Sequence, residues 1–184
     1  MPFALRLAHL IDRINAAIGK AACGLMIALV GLGALTAVLR YIGRPLGVSL
    51  TSNAFLEGQW YLFSAVFLLA AAWGLRERAH VRVDVLYGRL SDRGQALIDL
   101  AGTLLFLLPF CALMLWATGP SVAESWAVRE VSPDPGGLPR YPIKALVPAA
   151  FALLLLQGVA QAIKAVARLC GTADRPPLRG GEGV

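Results

Sequence analysis

The chain has 184 residues, 58% of them apolar and 15% charged, with a mean hydropathy of +0.67 and a net charge of +6. Ordinary globular proteins carry about 45–50% apolar and roughly 25% charged residues, so this composition excludes a soluble domain, a disordered chain, a coiled coil and a disulfide scaffold, and it points to a bilayer. The basic excess does not point to nucleic acid, because the Lys and Arg residues flank apolar runs, as in a membrane protein that keeps them on the cytoplasmic side.

The first 20 residues read as an amphipathic helix on the inner membrane surface. Leu7, Leu10, Ile11, Ile14 and Ile18 follow helical spacing, while Arg6, His9, Asp12 and Arg13 face elsewhere. No cleavage site precedes a mature domain, so the segment is expected to be retained. Four uncharged stretches follow, at residues 21–39, 58–75, 100–123 and 145–163. A ~30 Å hydrocarbon core crossed at ~1.5 Å per residue needs about 20 residues, so each stretch is predicted to be a spanning helix. A membrane barrel would show shorter, alternating segments.

Orientation follows from the basic residues between the runs. Residues 1–20, the connection after the second run and the tail together carry 12 Lys and Arg, and the opposite side carries 5. This bias places both termini in the cytoplasm. The expected fold is an all-α membrane protein with four transmembrane helices. Residues 1–20 form the amphipathic interfacial helix, 21–170 the four-helix transmembrane domain, and 171–184 a Gly- and Pro-rich disordered cytoplasmic tail.

Local punctuation agrees with this division. Ser91 is placed to cap a helix whose first turn begins at Asp92. Pro109 should kink the third run, and Gly119-Pro120 should end or bend it. The stretch Ser132-Pro133-Asp134-Pro135-Gly136-Gly137 reads as an outer loop. Gln157 and Gln161 lie one turn apart in the last run, and Gln59 and Ser64 lie in the second. Such side chains serve either as glue between helices or as the lining of a substrate path.

Catalytic chemistry has little to stand on. His9 and His80 both lie outside the spans, so a haem held between helices is not expected. There is no GxxxxGK[ST], no HExxH and no nucleophile elbow. Cys23, Cys111 and Cys170 are widely spaced, with no metal-ligand pattern. Neither an enzyme, nor a cofactor, nor a metal site is predicted.

Glu57 is the one acid just before the second run. Trp60, Tyr61 and Ser64 share its helix face. Two readings are open. Glu57 is a helix-start acid beside interfacial aromatic anchors, or it pairs with Arg40, which ends the first run on the same side. In the connection after the second run, Val81, Val83 and Val85 alternate with Arg82 and Asp84. Without a sheet to join, this piece reads as a tight interfacial turn pinned by Arg82 and Asp84, and His80, Arg82 and Asp84 do not make a metal set.

These residues resemble a known family. Arg40-Tyr41 at the end of the first run, Glu57-Gly58-Gln59-Trp60-Tyr61-Leu62-Phe63 opening the second, and His80-Val81-Arg82-Val83-Asp84 after it are similar to the small four-helix membrane subunit of tripartite ATP-independent periplasmic (TRAP) transporters. The pieces Gly136-Gly137-Leu138-Pro139 and Leu156-Gln157-Gly158 resemble the mannitol/chloroaromatic-type branch. The resemblance covers residues 10–170. It implies a multi-pass protein of the bacterial inner membrane with two protein partners, a large TRAP membrane subunit and a periplasmic substrate-binding protein. It further implies a scaffold role during sodium-driven uptake of an organic anion of carboxylate type. Arg40, Glu57, Trp60, Tyr61, His80, Arg82 and Asp84 are then structural or interface candidates. The rival is a self-sufficient four-helix proton-coupled carrier, which would need an acid deep in the membrane.

Overall fold

The computed structural model describes residues 2–77, 79 and 90–171. Helix α1 runs from Pro2–Leu46 and α2 from Asn53–Arg76. Helix α3 covers Asp92–Gly102, a π turn covers Thr103–Leu107, and α4 continues through Leu108–Ala127. Helix α5 spans Tyr141–Leu169. The α3–π–α4 stretch forms one element, so four helices are long and apolar enough to cross a membrane. Among the described residues, the other regular pairing is one bridge between Val131 and Pro139. Residues 172–184 of the expected tail at 171–184, and the segment holding His80, Arg82 and Asp84, lie outside the described residues.

Burial is inverted relative to a soluble bundle. Large apolar side chains point outward: Ile27 and Trp116 are each 77% exposed and Phe106 is 75% exposed. The interior is built from Ala8, Ala22, Ala72, Ala96, Ala160 and Ala165 together with Asn15, Thr36, Glu57 and Gln157. Lipid tails are as apolar as leucine, so helices meet through small residues and polar contacts instead. Helix α5 is the hub, touching α1, α2, α3 and α4. Two close approaches fix it and its neighbours. A Cβ on Gly158 of α5 would lie 2.9 Å from Leu107, and one on Gly19 of α1 would lie 2.4 Å from the Trp73 ring of α2.

Several local expectations hold and others change. Ser91 Oγ accepts from the Gly94 amide at 3.3 Å, with Asp92 in the first turn. The third run is distorted just ahead of Pro109, where the Leu108 amide reaches back five residues to the Thr103 carbonyl. Proline has no N–H and its ring crowds the carbonyl four residues earlier, and a widened turn gives that carbonyl room. Gly119-Pro120 does not end the helix, which continues to Ala127. The helix does not break at residue 20: the N-terminal segment and the first span are continuous in α1.

Candidate functional site

One end of the bundle is organised around Glu57. It lies one turn into α2 and is only 4% exposed. Ser132 Oγ donates to one carboxylate oxygen and the Leu138 amide donates to the other. One turn further along α2, the Tyr61 hydroxyl donates to the Pro139 carbonyl at 2.8 Å. One turn earlier, Asn53 Nδ2 donates to the Pro135 carbonyl at 3.0 Å. Positions 53, 57 and 61 share a helix face, so a single edge of α2 grips both limbs of the loop at 129–140.

The loop also closes on itself. Ser125 Oγ donates to Glu130 at 2.7 Å, and Lys144 forms an ion pair with the same carboxylate. The Arg140 amide donates to the Glu130 carbonyl at 2.8 Å. These contacts hold the Glu130 carboxyl below its ordinary value of 4.5, first through Lys144 and then through Ser125. The Arg140 guanidinium lies within electrostatic range of both Glu57 and Glu130. Its Nε is buried without a hydrogen-bond partner. Gly136 sits at φ +71°, and a Cβ on Gly137 would lie 2.5 Å from the Ser132 Cβ and 2.8 Å from a Glu57 oxygen. The Gly-Gly pair is therefore what lets the chain pass this close to α2.

The Arg40–Glu57 ion pair does not form. Arg40 is exposed, and none of the ion pairs among the described residues includes it. The loop folds back over α2 and supplies nearer donors, with Arg140 as the neighbouring cation. Trp60 is 41% exposed and stacks edge-on against Tyr61 at 4.4 Å. Tyr61 does more than anchor an interface, because its hydroxyl is committed to the loop.

The opposite end holds a cluster that the sequence reading places elsewhere. Asp12 and Asn15 turn inward to α5. Asn15 Nδ2 donates to Gln157 at 2.6 Å, Gln157 Nε2 donates to Asp12 at 3.0 Å, and Lys164 pairs with Asp12. Asn15 Oδ1 is buried without a partner. Gln161 Nε2 donates to the Leu75 carbonyl at 2.9 Å, and Arg168 pairs with Asp99 at 3.1 Å. Gln157, Gln161, Lys164 and Arg168 recur at i, i+4, i+7 and i+11, so one stripe of α5 binds α1, α2 and α3. Near the other end of the α1–α2 contact, Gln59 Nε2 donates to Thr36 Oγ1 at 3.0 Å. Gln59, Gln157 and Gln161 therefore act as glue between helices.

The small residues divide between inside and outside. Ala72 is buried and Gly33 faces Gln59, whereas Gly31 has open space around it. Ala70 and Ala71 line an open apolar groove of about 480 Å³ together with Met26, Leu29, Phe63 and Phe67.

Comparison with known families gives a match over residues 29–168, more than half of the chain, to the family described as tripartite ATP-independent periplasmic transporters, DctQ component. No curated protein and no solved structure matches the chain. The matched region contains all of α2, α3 and α4, the loop at 129–140 and nearly all of α5. The family is a transporter component rather than an enzyme and an integral protein of the inner membrane, and the four helices of this chain that are long and apolar enough to cross a membrane agree with a multi-pass protein. The chain belongs to the DctQ family, the small membrane subunit of TRAP transporters.

Proposed function

We propose that this subunit is a fixed scaffold. It braces the large transport subunit and helps seat the periplasmic binding protein during sodium-driven uptake of a carboxylate-type organic anion. The clamp on Glu57 carries the reading. Three side chains of α2 turn an irregular, proline-rich loop into a firm surface at one end of the bundle. A docking face needs such a preformed shape, because ordering a loose loop on contact costs affinity. In this reading both termini are cytoplasmic, as the 12-to-5 basic bias requires, and the clamp faces the periplasm. The mannitol/chloroaromatic-type resemblance and interface roles for His80, Arg82 and Asp84 belong to the same proposal.

The groove lined by Ala70 and Ala71 is the seat assigned to the large subunit. Small residues let a neighbouring helix approach closely in lipid. A self-sufficient proton-coupled carrier is disfavoured, because its candidate acid, Glu57, has both oxygens engaged by loop donors. Reconstitution into proteoliposomes tests the proposal. Uptake should require this chain, the large subunit, the binding protein and a sodium gradient together. Concentrative uptake by this chain alone would overturn it.

A further inference from the structure

The N-terminal part of α1 presents three distinct faces. The first is inward: Ala8 and Ile11 pack with Ala160 of α5, and Asp12 and Asn15 bond to α5 side chains. The second is apolar and open, with Phe3, Leu7, Leu10 and Ile14 all exposed, Phe3 at 79%. The third is basic. Arg6, Arg13 and Lys20 recur every seven residues, so they line one side of the helix. All three are exposed, and none takes part in an ion pair among the described residues.

A 45-residue helix is roughly 67 Å long, about twice the ~30 Å hydrocarbon core. The 21–39 run fills the core, and Asp12 is bonded to Gln157 and Lys164 at the charged end of α5, where the uncharged run at 145–163 stops, so the preceding segment lies at headgroup level. An apolar line beside a line of unpaired cations there is complementary to acyl chains beside phosphates.

We propose that the N-terminal segment of α1 is a binding site for anionic phospholipid. Phe3, Leu7, Leu10 and Ile14 enter the acyl boundary, and Arg6, Arg13 and Lys20 engage the phosphates. The bound leaflet surface then holds the segment from outside while Asp12 and Asn15 hold it to α5 from inside. Unpaired cations select lipid over a protein occupant, since the apolar line alone would suit either. The inference rests on membrane placement and not on the transport partners.

The test uses the full chain in nanodiscs of phosphatidylethanolamine with a minority of phosphatidylglycerol. Lipids that survive gentle extraction are counted by native mass spectrometry. Phosphatidylglycerol should be enriched on the protein over the bulk mixture. R6Q/R13Q/K20Q should lower that binding by about fivefold for each charge removed. R6K/R13K should keep the enrichment, and so should R40Q/R44Q at the far end of α1. Circular dichroism verifies the helix in each variant, and R13Q alone serves if the triple variant does not fold. Unchanged enrichment in the glutamine variants would overturn the proposal. So would loss of large-subunit co-purification with lipid enrichment intact, which would make the face a protein contact.

Discussion

Ser132 Oγ donates to the Glu57 carboxylate across 75 positions of the sequence. With the Leu138 amide on the other oxygen, one side chain of α2 accepts from both limbs of the loop at 129–140. A carboxylate suits this task because it only accepts, and both of its partners donate. Glutamine can still serve both if its oxygen faces Leu138 and its amide faces the Ser132 hydroxyl, which is able to accept. Glu57→Gln should therefore be mild. Glu57→Ala leaves two donors unmet, and the Leu138 amide should exchange on the order of tenfold faster with solvent. Hydrogen exchange measured across the loop in both variants checks this. Equal exchange in Glu57→Ala and the parent would reject the clamp.

At the other end, Asp12 neutralises Lys164 and accepts from Gln157 in a largely buried setting. Removing one partner strands the other. Asp12→Ala should cost about 1–3 kcal/mol, toward the lower side of a broken buried pair because Lys164 keeps some contact with solvent. Asp12→Leu combined with Lys164→Leu should recover most of that loss, since apolar replacement of a buried pair is often tolerated. Thermal unfolding in one detergent across the double-mutant cycle measures the coupling.

How far the sequence carries depends on what is encoded locally. The four spans are legible because a charge-free run near 20 residues has one stable form in lipid. The ends of those spans are less so. The run at 21–39 gives no sign that its helix extends from Pro2 to Leu46, since a helix crosses the interface without any change in its backbone. Glu57 stands out as a lone acid, yet its partners do not. Ser132 and Leu138 lie in a loop without periodicity, and the return of that loop over α2 is a tertiary fact. Asp12 illustrates a different difficulty. On one helix it reads as part of a polar outer face, and only the stripe Gln157, Gln161, Lys164 and Arg168 on α5 shows where polar groups converge.

Glu130 supplies a pH dependence with a definite sign. Lys144 and Ser125 hold its carboxyl below the ordinary 4.5. A depressed acid contributes stability in full above its unfolded value and loses it as pH falls through the folded value. The difference in melting temperature between the parent and Glu130→Gln should be constant from neutral pH down to about 4.5, then shrink below it. A difference that grows on acidification would contradict the assignment.

Topology is open to direct measurement. Single cysteines at Asp134 and Tyr87, in a background lacking Cys23, Cys111 and Cys170, distinguish the two sides. A membrane-impermeant maleimide added from the periplasm should label position 134 and not position 87. The reverse pattern would place the termini outside and remove the clamp from the face that meets the binding protein.

The groove between α1 and α2 provides the test of the partner. Ala70 and Ala71 of α2 line it, facing Met26 and Leu29 of α1. Large side chains there project outward, so they should leave the isolated bundle intact. They should, however, keep a neighbouring helix from close approach, which is the main source of attraction between helices in lipid. Ala71→Phe and Ala70→Leu should lower co-purification with the large subunit by on the order of tenfold, a loss of about 1.4 kcal/mol. Melting in detergent should shift little in the same variants. Leu113→Ala on α4, at an exposed position of another helix, provides the comparison. If that substitution releases the large subunit while Ala71→Phe does not, the partner sits on α4 and the groove faces lipid.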